Sequence, residues 1–222
     1  MNGVLLIDKP ASWTSHDVVN RIRKIFQTRR VGHAGTLDPF ATGLLVVGVN
    51  AGTKQLTALV GTTKTYLATA RLGATSTTED PEGTITERTG TKPPTRKELE
   101  RAFDPFRGGY EQTAPIFSAK KINGKKLYEL ARQGKTAADI TLPKKHVTIT
   151  TLDIISYDWP VLVFAVDCSS GTYIRSLARD LGEQLGTGAY LTELRRTRVG
   201  AYTISDAIPL ESLNTKTATL HL

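Results

Sequence analysis

The chain has 222 residues, 39% of them hydrophobic and 23% charged, and its formal net charge is +8. These proportions are typical of a globular protein large enough to bury a core, and the lone Cys168 excludes an internal disulfide framework and a cysteine-based zinc site. No apolar run approaches the roughly 20 residues of a membrane span and no signal peptide is recognisable, so we expect a cytoplasmic protein whose positive charge favours a polyanionic partner.

The N-terminal part of the chain is predicted to form a strand, a helix, a loop and a second strand. Residues 4–7 and 44–49 are apolar runs typical of buried strands. Thr14 and Asp17 have the spacing of a capping box, which predicts a helix that continues to about Gln27. Basic residues lie off the apolar face of this helix, and a solvated helix face is their simplest interpretation.

A glycine-rich loop, residues 32–43, lies between this helix and the second strand. It contains three glycines, Pro39 and one carboxylate, Asp38. Glycine permits backbone angles that side chains forbid and proline fixes one angle, so we expect the loop to have a defined shape. Asp38 is then either a turn-former or a reagent, and the local pattern alone favours the turn.

Strands outnumber helices in the rest of the chain. Residues 64–73 alternate in polarity and predict a strand with Tyr66, Ala68, Ala70 and Leu72 on one face. The other predicted elements are a helix over 53–60, a loop over 75–83, a helix from the capping box of Thr95 and Glu98 to about Phe103, strands over 147–157 and 161–168, and a helix capped by Thr172 that ends at Gly186. Consecutive strands indicate an α+β fold with a mixed, largely antiparallel sheet and flanking helices, in a single domain over residues 1–222.

The second distinctive region is a lysine-rich segment, residues 118–146. An Asn123-Gly124 pair predicts a tight turn, and a short helix that stops at Gly134 is expected to follow. The lysines around the turn are Lys120, Lys121, Lys125 and Lys126. Two interpretations stay open, an exposed surface insertion and a hairpin with a helix that closes over a phosphate backbone.

The sequence does not match the motifs of nucleotide-binding, metal-dependent or glycosidase sites. Residues 48–54 superficially resemble a phosphate-binding loop, but one residue is missing between the glycines and threonine precedes the lysine. The histidines are scattered without metal-ligand spacing, so no metal site is expected, and Cys168 is expected to be a buried structural thiol. A glycosidase would need a second carboxylate beside Asp38, and nothing in the sequence joins Asp8 or Asp80 to it.

The glycine-rich loop, with the sequence GHAGTLDPFATG, closely resembles the catalytic motif of the TruB-type tRNA pseudouridine synthases. Residues 3–10, 64–73, 118–128 and 168–175 agree with the same family in order and spacing, and residues 191–196 add weaker support. The resemblance implies the pseudouridine synthase fold, with an active-site cleft across a mixed sheet, and isomerisation of uridine 55 in the T-loop of tRNA. That reaction needs no metal, nucleotide or other cofactor, and we expect a monomer without membrane attachment.

The resemblance also implies roles for residues of these blocks. Asp38 would be the nucleophile, Tyr66 would lie against the flipped base, and Arg175 would pair with Asp38. The other implied substrate contacts and supports are His33, Lys9, Tyr173 and Leu194, with Lys125 and Lys126 in the lysine-rich segment acting as a thumb-like insertion that closes on the tRNA.

Members of this family usually carry a C-terminal RNA-binding domain of the PUA type, and only about two dozen residues follow Arg198 here. We therefore expect this domain to be absent and T-arm contacts to dominate binding. The alternative is a non-catalytic RNA-binding or tRNA-folding protein on the same scaffold. The combination of Asp38, Tyr66 and Arg175 favours the enzyme, because a pure binder has no need of all three.

Overall fold

The computed structural model describes residues 2–136 and 139–218 of the chain. The helices are α1 (Ser15–Ile25), α2 (Leu56–Val60), α3 (Arg96–Phe103), α4 (Leu127–Arg132) and α5 (Ile174–Gln184). The strands are β1 (Gly3–Lys9), β2 (Val31–His33), β3 (Thr42–Val49), β4 (Lys64–Leu72), β5 (Ala74–Ser76), β6 (Ile85–Glu87), β7 (Tyr110–Thr113), β8 (Lys121–Ile122), β9 (Lys125–Lys126), β10 (Lys144–Val147), β11 (Ile149–Asp158), β12 (Val161–Cys168), β13 (Ala189–Val199), β14 (Tyr202–Thr203) and β15 (Ile208–Pro209). The α+β class predicted from the sequence is therefore correct.

The chain divides into two compact units, residues 1–67 with 193–222 and residues 68–192. Both lie inside the range for which the sequence predicts a single domain, and that boundary stays a prediction. Strands β4 and β13 contribute residues to both units.

In the first unit the strands follow the order β4, β13, β3, β1 and β15. Strands β1 and β3 pair antiparallel along their whole length, from Gly3 opposite Val49 to Lys9 opposite Gly43. Strand β3 pairs parallel with β13, and β1 pairs parallel with β15, so this part of the sheet is mixed. One face of β1 and β3 packs on the apolar side of α1, which anchors the two strands that lead into and out of the site.

Helix α1 begins where its capping box predicts. The Asp17 N–H donates to Thr14 Oγ1 at 3.0 Å, and the Thr14 N–H donates to Asp17 Oδ2 at the same distance. These two bonds satisfy N–H groups that have no partner inside the helix. Burial of Val18, Val19 and Ile22 then fixes the helix against the sheet. The helix ends at Ile25, two residues before the predicted end.

In the second unit β11, β12, β4 and β13 are neighbours in that order. The antiparallel pairing of β11 with β12 continues to Asp158 opposite Val161. Helices α3 and α5 also belong to this unit, and Phe103 of α3 meets Phe164 of β12 edge to face with ring centroids 5.9 Å apart. Three small antiparallel pairs complete it: β5 with β6, β7 with β10, and β8 with β9.

Four predicted elements need correction. Thr172 does not cap α5: the capping position is Tyr173, and the Thr172 hydroxyl donates to the Ser169 carbonyl instead. The predicted strand over 147–157 is interrupted at Thr148, so β10 and β11 pair with different partners. The predicted helix over 53–60 is a 3₁₀ turn, Asn50–Lys54, followed by α2. The loop over 75–83 starts inside β5.

Candidate active site

The backbone of the glycine-rich loop is held by hydrogen bonds on both sides of Asp38. The Ala41 N–H donates to the Asp38 carbonyl at 3.1 Å, which closes a turn around Pro39. Leu37 is 3% exposed, and its N–H and carbonyl both bond to Ser15 Oγ, at 2.9 and 3.1 Å. Asp38 itself is half-buried. The loop thus contains a hydrogen-bonded turn that begins at Asp38, and its shape depends on Ser15 of α1.

Lys9 supports this turn from β1. Its side chain is completely buried, and its ammonium group donates to the carbonyls of Trp13, Pro10 and Pro39 at 2.6, 2.9 and 3.2 Å. Burial of an ammonium group is costly unless its protons find acceptors, and these three carbonyls supply them. Because one acceptor is the residue directly after Asp38, the Lys9 ammonium restrains the position of the candidate nucleophile.

Arg196 of β13 is a buried cation that the sequence analysis did not assign to the site. It is 1% exposed, and its guanidinium donates to three backbone carbonyls: Leu44 at 2.8 Å, Gly35 at 3.1 Å and Thr36 at 3.4 Å. A signal existed in the sequence, because Leu194 and Arg196 are two residues apart on one strand and so lie on the same face. The signal was weak because other arginines, Arg195 and Arg198, lie close to Arg196 in the sequence.

His33 ends β2 at the start of the loop, and its pKa is lowered chiefly by burial and also by the positive charge of Arg196. The imidazole is therefore neutral at pH 7. Within the described residues, its Nδ1 atom is buried without a hydrogen-bond partner.

Tyr66 and Leu194, the remaining candidates of the first unit, are 8% and 6% exposed. Tyr66 lies on the buried face of β4, where the alternating pattern predicts it. Leu194 lies on β13, two residues before Arg196. Both side chains are therefore buried, and their roles beside the base stay predictions.

Arg175 lies in the first turn of α5 in the second unit and is 3% exposed. Its guanidinium donates to the Thr78 carbonyl at 2.8 Å and the Phe117 carbonyl at 3.0 Å, and it is 3.4 Å from the Asp80 carboxylate. The Glu82 N–H donates to the same carboxylate at 3.0 Å. The planar fork of arginine suits such a set of fixed acceptors.

The backbone of Tyr173 is held by the side chain of Gln112 in β7. The sequence pattern did not identify Gln112 as part of the site. Gln112 is 2% exposed, accepts from the Tyr173 N–H at 2.7 Å and donates to the Tyr173 carbonyl at 2.9 Å. It also donates to the hydroxyl of Tyr110 at 2.6 Å, which in turn donates to Asp180 of α5 at 3.1 Å. Burial raises the pKa of Tyr110, so this phenol stays protonated. The network fixes the start of α5 and hence Arg175.

A second ion-pair cluster lies further along α5. Arg179 pairs with Glu79 and with Asp180, and Ser176 Oγ donates to Glu79 at 3.0 Å. Burial raises the pKa of Glu79 although the Arg179 guanidinium opposes the shift. These residues join α5 to the loop after β5 and give α5 a fixed position in its unit.

The lysine-rich segment has the predicted turn. Asn123 and Gly124 have φ angles of 50° and 81° between β8 and β9, and Gly134 has a φ of 83° after α4. Lys125 is exposed, and the Lys126 ammonium donates to the Tyr128 hydroxyl at 3.1 Å. Lys145 donates to the Ser170 carbonyl at 2.6 Å. Residues 137 and 138 of the predicted segment lie outside the described residues.

Other chemistries find little support. Asp8 forms an ion pair with Arg195 at 2.7 Å and Asp80 lies against Arg175, so each candidate second carboxylate of a glycosidase already has an arginine partner. Cys168 is a buried thiol outside any disulfide, as predicted. Across residues 2–136 and 139–218, no group of three or more histidine, cysteine or acidic side chains has a metal-binding arrangement. In the same ranges, every helix is too short or too polar to cross a membrane.

Two family models together match residues 23–221. The model of the TruB family pseudouridylate synthase N-terminal domain matches residues 23–174, and that of the tRNA pseudouridylate synthase B C-terminal domain matches residues 175–221. The chain is 50% identical to tRNA pseudouridine synthase B of Mycobacterium sp. (strain KMS), over 95% of this chain and 71% of that protein. It is 48% identical to tRNA pseudouridine synthase B of Corynebacterium diphtheriae, over 96% of this chain and 72% of that protein.

Solved structures extend the comparison to the fold. A crystal structure of a Cbf5-Nop10-Gar1 complex matches with a TM-score of 0.74 and 30% identity, over 95% of this chain but only 53% of that one. A crystal structure of a pseudouridylate synthase matches with a TM-score of 0.51 and 13% identity, over 100% of this chain and 71% of that one. Fold and loop together define a pseudouridine synthase, an isomerase of RNA uridines. More narrowly, the chain belongs to the TruB family of pseudouridylate synthases, and the resemblance stated from its sequence is confirmed.

Proposed function

We propose that this protein converts uridine 55 in the T-loop of tRNA into pseudouridine, with Asp38 as the nucleophile. The observation that carries the proposal is the hydrogen-bonded turn at Asp38, in a chain half identical to proteins named tRNA pseudouridine synthase B. Family membership supports the class of reaction, and the loop geometry supports the choice of residue. The proposed place of action is the cytoplasm, where tRNA is modified, and the proposed acting species is a monomer.

The reaction requires what this loop supplies. The C–N glycosidic bond of uridine breaks, a C–C bond to C5 of the same base forms, the C5 hydrogen leaves as a proton and N1 gains a proton, so no oxidant, reductant or water is consumed. An ionised carboxylate can add to the substrate and leave again. A nucleophile reacts fastest when its position relative to the substrate is fixed before the reaction. The hydrogen bonds of Leu37, Ala41 and Pro39 restrict the backbone that carries the Asp38 carboxylate.

The base must first leave the T-loop, which costs a few kcal/mol. We propose that Tyr66 stacks on the extruded uracil, because base–aromatic stacking offsets about 1–3 kcal/mol of that cost. Leu194 would line the same pocket. His33, at the start of the loop with a buried and unpartnered Nδ1, would contact the RNA beside the extruded base.

We also propose that Arg175 pairs with Asp38 and keeps its carboxylate ionised and oriented. Support comes from its burial at the start of α5, where the carbonyls of Thr78 and Phe117 and the Asp80 carboxylate together hold the guanidinium in one orientation. Tyr173 would support the site through its bonds to Gln112, and Lys9 would do so through its bond to the Pro39 carbonyl. Lys125 and Lys126 would contact phosphates of the T-arm.

Tritium release from tRNA labelled at C5 of uridine tests the proposal. We expect release and pseudouridine formation with the wild type and none above background with Asp38→Asn, because the amide cannot act as the nucleophile. Asp153→Asn is the matched control, since Asp153 is an exposed carboxylate of β11, and it should keep wild-type activity.

Other outcomes point to other functions. Tight tRNA binding by the wild type without tritium release would favour the non-catalytic RNA binder. Free uracil among the products would indicate a hydrolase of the N-glycosidic bond. Pseudouridine at a position other than 55 in the product tRNA would refute the proposed target while leaving the chemistry intact.

A further inference from the structure

Two consecutive arginines on β13 have opposite environments. The Arg195 side chain is 40% exposed and pairs with the Asp8 carboxylate through two bonds, at 2.7 and 3.0 Å. The Arg196 residue is 1% exposed, and the acceptors of its guanidinium are backbone carbonyls. Burial of a charge without a neutralising partner is expensive, and an apolar residue of similar volume would fill the same space at less cost. A buried Arg196 therefore needs an explanation other than packing.

The acceptors of Arg196 lie on both sides of the candidate nucleophile. Nη2 and Nη1 donate to the carbonyls of Gly35 and Thr36, which precede Asp38, and Nε donates to the carbonyl of Leu44, which follows the loop. The guanidinium is planar and its donors have a fixed spacing. Three bonds from one rigid group therefore set the distance between the backbone before Asp38 and the backbone that follows the loop.

The backbone of Arg196 touches the loop as well. Gly43 has a φ of +99°, and a Cβ atom added to it would lie 2.3 Å from the Arg196 carbonyl oxygen. The two residues are also opposite each other in the parallel pairing of β13 with β3. The absence of a side chain at Gly43 thus permits the close approach that brings the Arg196 guanidinium under the loop.

We propose that Arg196 is a positioning residue for the isomerisation: its guanidinium joins the part of the glycine-rich loop before Asp38 to the residue that follows the loop, and thereby fixes the orientation of the Asp38 carboxylate. This rests on the proposed function, because it assumes that Asp38 reacts. Arg196 touches neither substrate nor reacting atoms in this scheme. Its loss should slow the chemical step and leave the affinity for tRNA nearly unchanged.

The experiment compares Arg196→Lys with Arg195→Lys under single-turnover conditions, with enzyme in excess over tRNA. Lysine keeps the charge but loses the fork, so Arg196→Lys should lower the rate constant of pseudouridine formation about 10- to 100-fold, the range expected for a displacement of about 1 Å. The Kd for tRNA, measured by filter binding, should change less than about twofold, because no tRNA contact is removed. Arg195→Lys loses its own fork to Asp8 and should leave both quantities within about threefold of the wild type, since exposed ion pairs contribute little.

A spectroscopic signal separates mispositioning from general unfolding. His33 reports on the loop through its imidazole, because it ends β2 at the start of the loop. In Arg196→Gln, which removes the charge, the pKa of His33 should rise towards its ordinary value, whereas in Arg196→Lys it should stay lowered. Retained dispersion of the other amide resonances would establish that both variants are folded. If Arg196→Lys fails to fold, the rate and Kd of Arg196→Gln are measured at a temperature at which circular dichroism shows it folded.

Each result decides the question. A wild-type single-turnover rate in Arg196→Lys would overturn the positioning role, and so would a Kd that weakens as much as the rate falls. An equal loss in Arg195→Lys would show that the effect belongs to the whole strand and would overturn it too. A wild type that forms no pseudouridine would instead refute the proposed function, and the inference about Arg196 with it.

Discussion

The glycine-rich loop and the lysine-rich segment both depend on basic residues, but they use them in opposite ways. Two basic side chains that hold the loop are buried: Lys9 is completely inaccessible and Arg196 nearly so, and both donate to backbone carbonyls. In the lysine-rich segment Lys121 and Lys125 are exposed on two-residue strands that flank a tight turn. A net charge alone therefore says little about how many basic residues are available to bind RNA.

Burial decides what a cation can do. A buried cation with three carbonyl acceptors has no freedom to follow a ligand, so it determines backbone geometry. An exposed lysine loses little when it meets a phosphate and displaces counterions from the RNA, so it contributes affinity and salt dependence. From this contrast we expect changes around the loop to affect stability and chemistry, and changes in the lysine-rich segment to affect binding.

The largest effect on stability is expected from Gly43→Ala. The new Cβ would lie 2.3 Å from the backbone oxygen of Arg196, and the φ of +99° is unfavourable for alanine, so the strands must separate locally. We expect the free energy of unfolding to fall by about 2–4 kcal/mol, measured by urea denaturation.

Gly90→Ala is the control for that prediction. Gly90 has a φ of +77°, and a Cβ atom there meets nothing within 4 Å, so only backbone strain remains, about 1 kcal/mol. Equal losses for the two variants would contradict the close contact between Gly43 and Arg196.

The next largest effect is expected for Arg175→Lys, which tests a buried cation of the second unit. Lysine cannot reach the carbonyls of Thr78 and Phe117 with the geometry of a fork, so the proposed partner of Asp38 would lose its orientation. We expect the single-turnover rate to fall about 100-fold, with less than about a threefold change in the Kd for tRNA.

Arg101→Lys, at an exposed position of α3, is the matched control and should behave as the wild type. Wild-type turnover in Arg175→Lys would refute the proposed pairing of Arg175 with Asp38. A loss of affinity without a loss of rate would instead make Arg175 a binding residue.

Local signals predicted much of the fold. The capping boxes at Thr14 and Thr95 involve residues three apart, and the Asn123-Gly124 turn involves neighbours, so the sequence contains the whole interaction. Thr172 is not the cap of α5 because it lies in a turn, in which its N–H and its hydroxyl both donate to the Ser169 carbonyl, and the helix begins only at Ile174.

The candidate site was predictable only in part. Asp38 and its loop were found through the family motif. Arg196 and Gln112 each form hydrogen bonds with a residue more than sixty positions away along the chain. Such contacts depend on which strands become neighbours. The period of two on β13 could have placed Arg196 beside Leu194 on the buried face, but charged residues are buried so rarely that composition argued against it.

The smallest effect is expected from the double variant Lys125→Gln and Lys126→Gln in the lysine-rich segment. Lys126 already donates to Tyr128, so its release from the protein offsets part of any phosphate contact. We expect the Kd for tRNA to rise about 3- to 10-fold and the slope of log affinity against log salt to fall by about 1 to 2, with an unchanged single-turnover rate at saturating enzyme.

The matched control for this double variant is Lys92→Gln with Lys97→Gln, which removes the same charge from exposed positions before and within α3. If both double variants lower the slope equally, the effect is one of net charge, and the lysine-rich segment is a solvated surface with no specific place in binding. If only the first does so, its lysines lie near phosphates in the complex. A fall in the single-turnover rate at saturation would be the most informative failure, because it would mean that exposed cations in this segment also position the substrate. Buried basic residues could then no longer be assigned to chemistry and exposed ones to binding.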